Sequence, residues 1–138
     1  MDIEKIDILY IYKFELGGFI MQLSYITFMI RDIEKTIDFY EKLVGLHVVN
    51  RFNPGMGEIA FMSNADGETM LEFIQFEDVE KVSTKGMVIS FRVEEDIKEL
   101  RQKADELGYN PSDIIEKGPK PKHFTVFDPD GIVVEFSV

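Results

Sequence analysis

Tyr25-Ile26-Thr27-Phe28-Met29-Ile30 and Val88-Ile89-Ser90-Phe91-Arg92-Val93 are two versions of one stretch, and the match between them decides the fold. In the first, Ile26, Phe28 and Ile30 fall on one side and Tyr25, Thr27 and Met29 on the other, the period of a half-buried strand. The offset that lays Tyr25 on Val88 also lays Gly45 on Gly108 and Glu72 on Glu135. A strand, a helix stop and a late glutamate repeating at one offset mark an internal duplication.

Outward from the first stretch, Asp32 reads as the cap of a helix over 33–44. Its apolar positions Ile33, Ile37, Tyr40 and Val44 follow the 3.6-residue period, and Gly45 ends it. Strands are predicted near 46–51, 58–63 and 69–76, separated by turns at Asn53-Pro54-Gly55 and Asn64 to Gly67. The order is βαβββ. After an acidic linker over 77–86 the module begins again, with a second helix burying Ile97, Leu100, Ala104 and Leu107 before Gly108. The chain closes with a hairpin: a strand over 122–127, the turn Asp128-Pro129-Asp130-Gly131, and a strand over 132–138. Alternation sets Ile132, Val134, Phe136 and Val138 on the packed face, and Glu135 beside His123 and Thr125 on the opposite one.

One such module leaves a sheet face uncovered. The expected fold is therefore α+β: two βαβββ modules, about 21–76 and 87–138, pair into a half-open barrel around a groove, with helices on the outer faces. The groove would be lined by Tyr25, Thr27, Met29 and Glu72 from one module, and by Val88, Ser90, Arg92, His123, Thr125, Glu135 and Ser137 from the other. Whether it closes within one chain or across a dimer is left open.

Composition narrows the function. The chain has 138 residues, 45% of them hydrophobic, enough for a single domain with a real core. Its formal charge of -11 repels phosphate backbones and anionic lipid, so neither nucleic acid nor membrane is expected as a partner. A neutral or cationic small molecule suits it better. No cysteine is present, which removes thiolate metal sites and cysteine nucleophiles and fits a cytoplasmic setting. No apolar run approaches the roughly 20 residues of a membrane-spanning helix.

Residues 1–20 read differently from the rest. Codons for Leu16-Gly17-Gly18 can spell a bacterial ribosome-binding sequence at a suitable distance before Met21. Two readings stand: an extension upstream of the true start at Met21, or an ordinary N-terminal strand or arm. Asp2, Glu4, Lys13 and Glu15 argue against a signal peptide.

From Met21 to Val138 the sequence resembles the vicinal oxygen chelate superfamily, which includes glyoxalase I, bleomycin-resistance proteins and extradiol dioxygenases. The likeness lies in Ile30-Arg31-Asp32-Ile33-Glu34-Lys35-Thr36-Ile37-Asp38-Phe39-Tyr40 with Leu43-Val44-Gly45-Leu46, in Glu72, and in Asp128-Pro129-Asp130-Gly131 with Glu135. In metal-dependent members, the resemblance implies, a divalent ion is held at the positions that here read Tyr25, Glu72, Val88 and Glu135. Both carboxylates match and both histidines are missing; valine has no donor and tyrosine is a poor one. No metal cofactor is expected, the alternative being a divalent ion on Glu72, Glu135 and His123. Arg92 is the expected ion-pair partner for a metal-free glutamate. Lys117, Lys120 and Lys122, spaced by Pro119 and Pro121, could reach an anionic ligand beside the groove, but read first as a solvated loop.

The resulting expectation is a small-molecule-binding protein with a degraded metal site, dimeric as the likeness to bleomycin-resistance proteins implies. Tyr25, Thr27, Ser90, Arg92, His123 and Thr125 would touch the ligand. The alternative is a metal-dependent glyoxalase-like lyase or isomerase using Glu72 and Glu135, in which the ion polarises two adjacent oxygens and a glutamate moves a proton.

Overall fold

The structure, a computed structural model, describes residues 21–138; both readings of residues 1–20 lie outside the described residues. Strand β1, Tyr25–Met29, is followed by helix α1, Ile33–Phe39, and a π-helical turn, Tyr40–Val44. Strands β2, His47–Phe52, β3, Gly57–Ser63, and β4, Met70–Phe76, complete the first module. The second holds β5, Val88–Arg92, helix α2, Ile97–Glu106, β6, His123–Phe127, and β7, Val133–Ser137. Two open sheets result, ordered β1-β4-β3-β2 and β5-β7-β6. In each module the first strand runs parallel to the last, so the glutamate strand lies inside its sheet.

Local chemistry accounts for the helix ends. The carboxylates of Asp32 and Asp96 accept from the backbone N–H groups of Lys35 (3.2 Å) and Lys98 (2.9 Å), satisfying donors that a helix start leaves free. The helix predicted over 33–44 keeps its span but widens to π geometry in its last turn, where the N–H of Gly45 reaches the Tyr40 carbonyl five residues back. Gly45 then reverses the chain in the left-handed region at φ +83°.

Three expectations need correction. The second module has three strands rather than four. The segment matching β2 is reduced to a single bridge between Ile115 and His123, in a stretch where Pro111, Pro119 and Pro121 lack the N–H that a ladder requires. Leu107 is exposed, because it sits at the C-cap past the last full turn of α2. Val138 is exposed as well, one residue beyond the end of β7.

The helices and the apolar sheet faces share one core. Phe28, Phe73, Phe39 and Tyr40 of the first module join Ala104, Phe124, Val134 and Phe136 of the second, all buried. The modules are locked where β7's turn meets α1. The Tyr40 hydroxyl donates to Asp128 at 2.8 Å in a buried setting, and the Phe39 ring meets Tyr109 edge-on at 4.8 Å. Asp128 also accepts from the N–H groups of Asp130 and Ile132. Burial pushes its carboxyl above the ordinary value, against these three hydrogen bonds. At the rim Arg31 pairs with Asp130 at 2.9 Å.

Candidate functional site

Strand alternation turns the face opposite the core into the candidate site. Register makes the inner residues line up in rows. In the four-stranded sheet Thr27 lies beside Glu72, which lies beside Phe61; in the three-stranded sheet Ser90 lies beside Glu135, which lies beside Thr125. The rows are duplicates of each other, hydroxyl next to carboxylate.

The hydroxyls serve the carboxylates in both copies. Thr27 Oγ1 donates to Glu72 Oε1 at 2.5 Å, and Ser90 Oγ donates to Glu135 Oε1 at 2.9 Å. Beyond that the copies diverge. Glu72 is half-buried, whereas Glu135 is buried and its other oxygen, Oε2, accepts from the Lys120 ammonium at 2.5 Å. That lysine's hydrogen bond is the main reason the Glu135 carboxyl sits below its ordinary value of 4.5; Ser90 and the charge of His123 add to it, and burial opposes it.

The remaining sequence-derived residues fall as follows. His123 is buried beside this pair, with its Nδ1 2.7 Å from the Pro121 carbonyl oxygen. A carbonyl only accepts, so Nδ1 carries the proton; in the uncharged ring Nε2 is then the acceptor. Thr125 is half-buried in the Glu135 row, and its backbone N–H donates to Ser112 Oγ at 2.9 Å. Tyr25 and Val88, at the positions the missing histidines would occupy, are 48% and 51% exposed, and Tyr25 packs edge-on against Phe61 at 5.3 Å. Arg92 does not hold Glu135: register sets it opposite Ser137, two residues or about 6–7 Å along the strand from the Glu135 row. Lys120, read from sequence as part of a solvated loop, takes that place instead. The three-lysine run before β6 was the available signal.

The two inner faces are not brought together within one chain. Among the described residues no hydrogen bond, ion pair or aromatic contact joins Glu72's face to that of Glu135, and the contacts between modules run through α1, its π-helical turn and the turn before β7. Nor do three His, Asp or Glu side chains assemble among the described residues into a set that could hold a metal ion, so the Glu72, Glu135 and His123 triad is not formed in a single chain. The donor set fits an ion poorly: valine at 88 supplies no lone pair, and both oxygens of Glu135 are already engaged.

The lowered carboxyl makes a pH prediction. A carboxylate whose folded value is depressed adds stability above its unfolded value and loses it as pH falls through the folded one. Urea unfolding followed from pH 7 downward should therefore show stability falling below about pH 4.5 in the native chain, with a shallower fall in Glu135→Gln. Equal acid limbs in the two proteins would remove the lysine–glutamate pair from the account.

Comparison with known proteins agrees with this architecture. The family model of the glyoxalase/bleomycin resistance protein/dioxygenase superfamily matches residues 22–136, and the chain belongs to that superfamily. No curated protein matches the sequence. Among solved structures, TnmS3, an antibiotic-binding protein from a Streptomyces species, superposes with a TM-score of 0.69 at 19% identity, covering 87% of this chain and 97% of its own. The trypanothione-dependent glyoxalase I of Leishmania major gives 0.71 at 22%, covering 86% of each chain. The fosfomycin resistance protein FosX of Mesorhizobium loti gives 0.68 at 18%, covering 86% and 92%. At these identities the likeness is one of fold. Among the described residues no helix is long and apolar enough to cross a membrane.

Proposed function

We propose that the chain is a cytoplasmic small-molecule-binding protein that holds a neutral or cationic organic ligand on the inner faces of its sheets, without a metal ion, as a homodimer. The observation that carries this reading is the duplicated hydroxyl–carboxylate pair, Thr27 with Glu72 and Ser90 with Glu135, on faces turned away from the core. Residues spent only on stability belong on the packed side; a polar pair repeated on each face, near exposed Tyr25 on one and exposed Val88 on the other, is what an oriented ligand needs. A second copy brings the face of one module against that of the other, which a single chain does not do. The net charge of -11 favours neutral or cationic ligands, and TnmS3, an antibiotic-binding protein, gives a precedent on the same fold.

The test is a thermal-shift panel of planar neutral and cationic compounds on the native chain, with sedimentation equilibrium for its mass. A true ligand at 100 times its Kd stabilises by about 2.7 kcal/mol, a rise of several degrees for a domain of this size. The expected outcome is a dimer of the 16.0 kDa chain and a rise that is lost when Thr27→Val and Ser90→Val are combined. A compound that stabilises native and double-variant protein equally binds elsewhere and overturns the assignment of this face.

A further inference from the structure

The inner face of the three-stranded sheet carries its own cation. Lys120 Nζ stands 2.5 Å from Glu135 Oε2, at one of the positions where the resemblance to metal-dependent relatives implies an ion, and the carboxylate it meets is 6% exposed. Ser90 occupies the other carboxylate oxygen. A divalent ion arriving here has to break a charge-assisted hydrogen bond to a buried carboxylate, and it would find valine at 88 where an imidazole is needed.

The geometry also says what the lysine has left to offer. An ammonium has three N–H donors and no acceptor. One is spent on Glu135, and the side chain remains 59% exposed, so two donors are available on the open side of the sheet. Pro119 and Pro121 on either side fix two backbone angles of the loop, which lowers the entropy lost in holding the lysine in place. The Pro121 carbonyl takes the Nδ1 proton of His123, so the same loop that delivers a donor sets the histidine's Nε2 as an acceptor.

We propose that Lys120 is the resident cation of this site, standing on Glu135 in place of a metal, and that it donates to an acceptor oxygen of the ligand while His123 Nε2 accepts from a neighbouring hydroxyl or N–H. The ligand class is a neutral molecule carrying a carbonyl or similar acceptor oxygen close to a hydroxyl or N–H donor. A full anion gains little, because Glu135 already offsets the lysine's charge and the chain as a whole is acidic. The inference rests on reading this face as the binding face, but its test uses no organic ligand. A failed compound screen therefore counts against the binding function, and a failed result here counts against the lysine.

The experiment pairs metal uptake with the titration of one carboxyl group. Full-length native protein is dialysed against nickel, zinc and manganese and its bound metal measured, and the Glu135 side-chain carboxyl is followed by carbon-detected NMR in native, Lys120→Met and Lys120→Arg proteins. The expected result is no stoichiometric metal on the native chain, a Glu135 midpoint that moves up in Lys120→Met, and a midpoint restored toward the native value in Lys120→Arg. The amide spectrum of each variant reports folding separately. One equivalent of metal on the native chain that disappears in Glu135→Gln overturns the proposal, and so does a Glu135 midpoint unchanged by Lys120→Met.

Discussion

Phe73→Ala is expected to cost the fold about 3–5 kcal/mol, the range for truncating a fully buried aromatic side chain. Phe73 is 0% exposed and lies on the core face of β4, with neighbouring strands on both sides. Its ring stacks on Phe28 at 5.6 Å and on Tyr40 at 4.9 Å. The cavity left by alanine would open between a sheet and the helical turn that carries Tyr40, where strand pairing and the Asp128 hydrogen bond limit collapse. Domains of this kind hold only about 5–15 kcal/mol in all, so the variant should unfold at a much lower denaturant midpoint. Phe73→Leu, which keeps most of the volume, should lose far less. Equal losses in the two variants would mean that ring shape, not filled space, sets the stability of this core.

Gly57→Ala comes next, at about 2–4 kcal/mol. Gly57 opens β3 at φ +142°, a conformation that side chains rarely adopt, and a Cβ there would stand 2.0 Å from the backbone carbonyl oxygen of Gln75 on the paired strand. A carbonyl in a ladder cannot swing aside without breaking strand pairing. The comparison is Gly55→Ala, two residues earlier at φ +108° with open space around it, where only the backbone conformation resists and about 1 kcal/mol is expected. Urea denaturation of both variants checks the ordering. A Gly55→Ala loss as large as that of Gly57→Ala would put the cost in the turn rather than in the contact.

Much of this molecule could be read from its residues, for a physical reason: duplication writes each element twice. Alternation in Tyr25 to Ile30 and in Val88 to Val93 gave the first strands of both modules, and the same offset brought Glu72 and Glu135 to matching rows. Caps and stops at Asp32, Gly45 and Gly108 are local, so they too were legible. What escaped depends on reach between distant segments. The partner of Asp128 is Tyr40, on the other module, and no local pattern announces it. Lys120 escaped for a related reason. Periodicity says which way a strand residue points and nothing about a flexible side chain on a loop, whereas Arg92, fixed in register opposite Ser137, was easy to assign and did not reach Glu135. The lost strand of the second module was signalled by its prolines, but the repeat argued the other way.

Those prolines have a further consequence, for how the sheets meet other chains. The three-stranded sheet ends on β6, and the segment running beside that strand makes only one bridge to it and carries Pro111, Pro119 and Pro121. Such a border is a poor template for another chain's strand. One of the two outer strands of the other sheet, β2, has all six residues exposed and no proline, and it is interrupted instead by a bulge between Val48 and Asn50. At these two edges the halves thus guard against runaway lateral growth by different means. One has given up its rim and the other has kept a bent one.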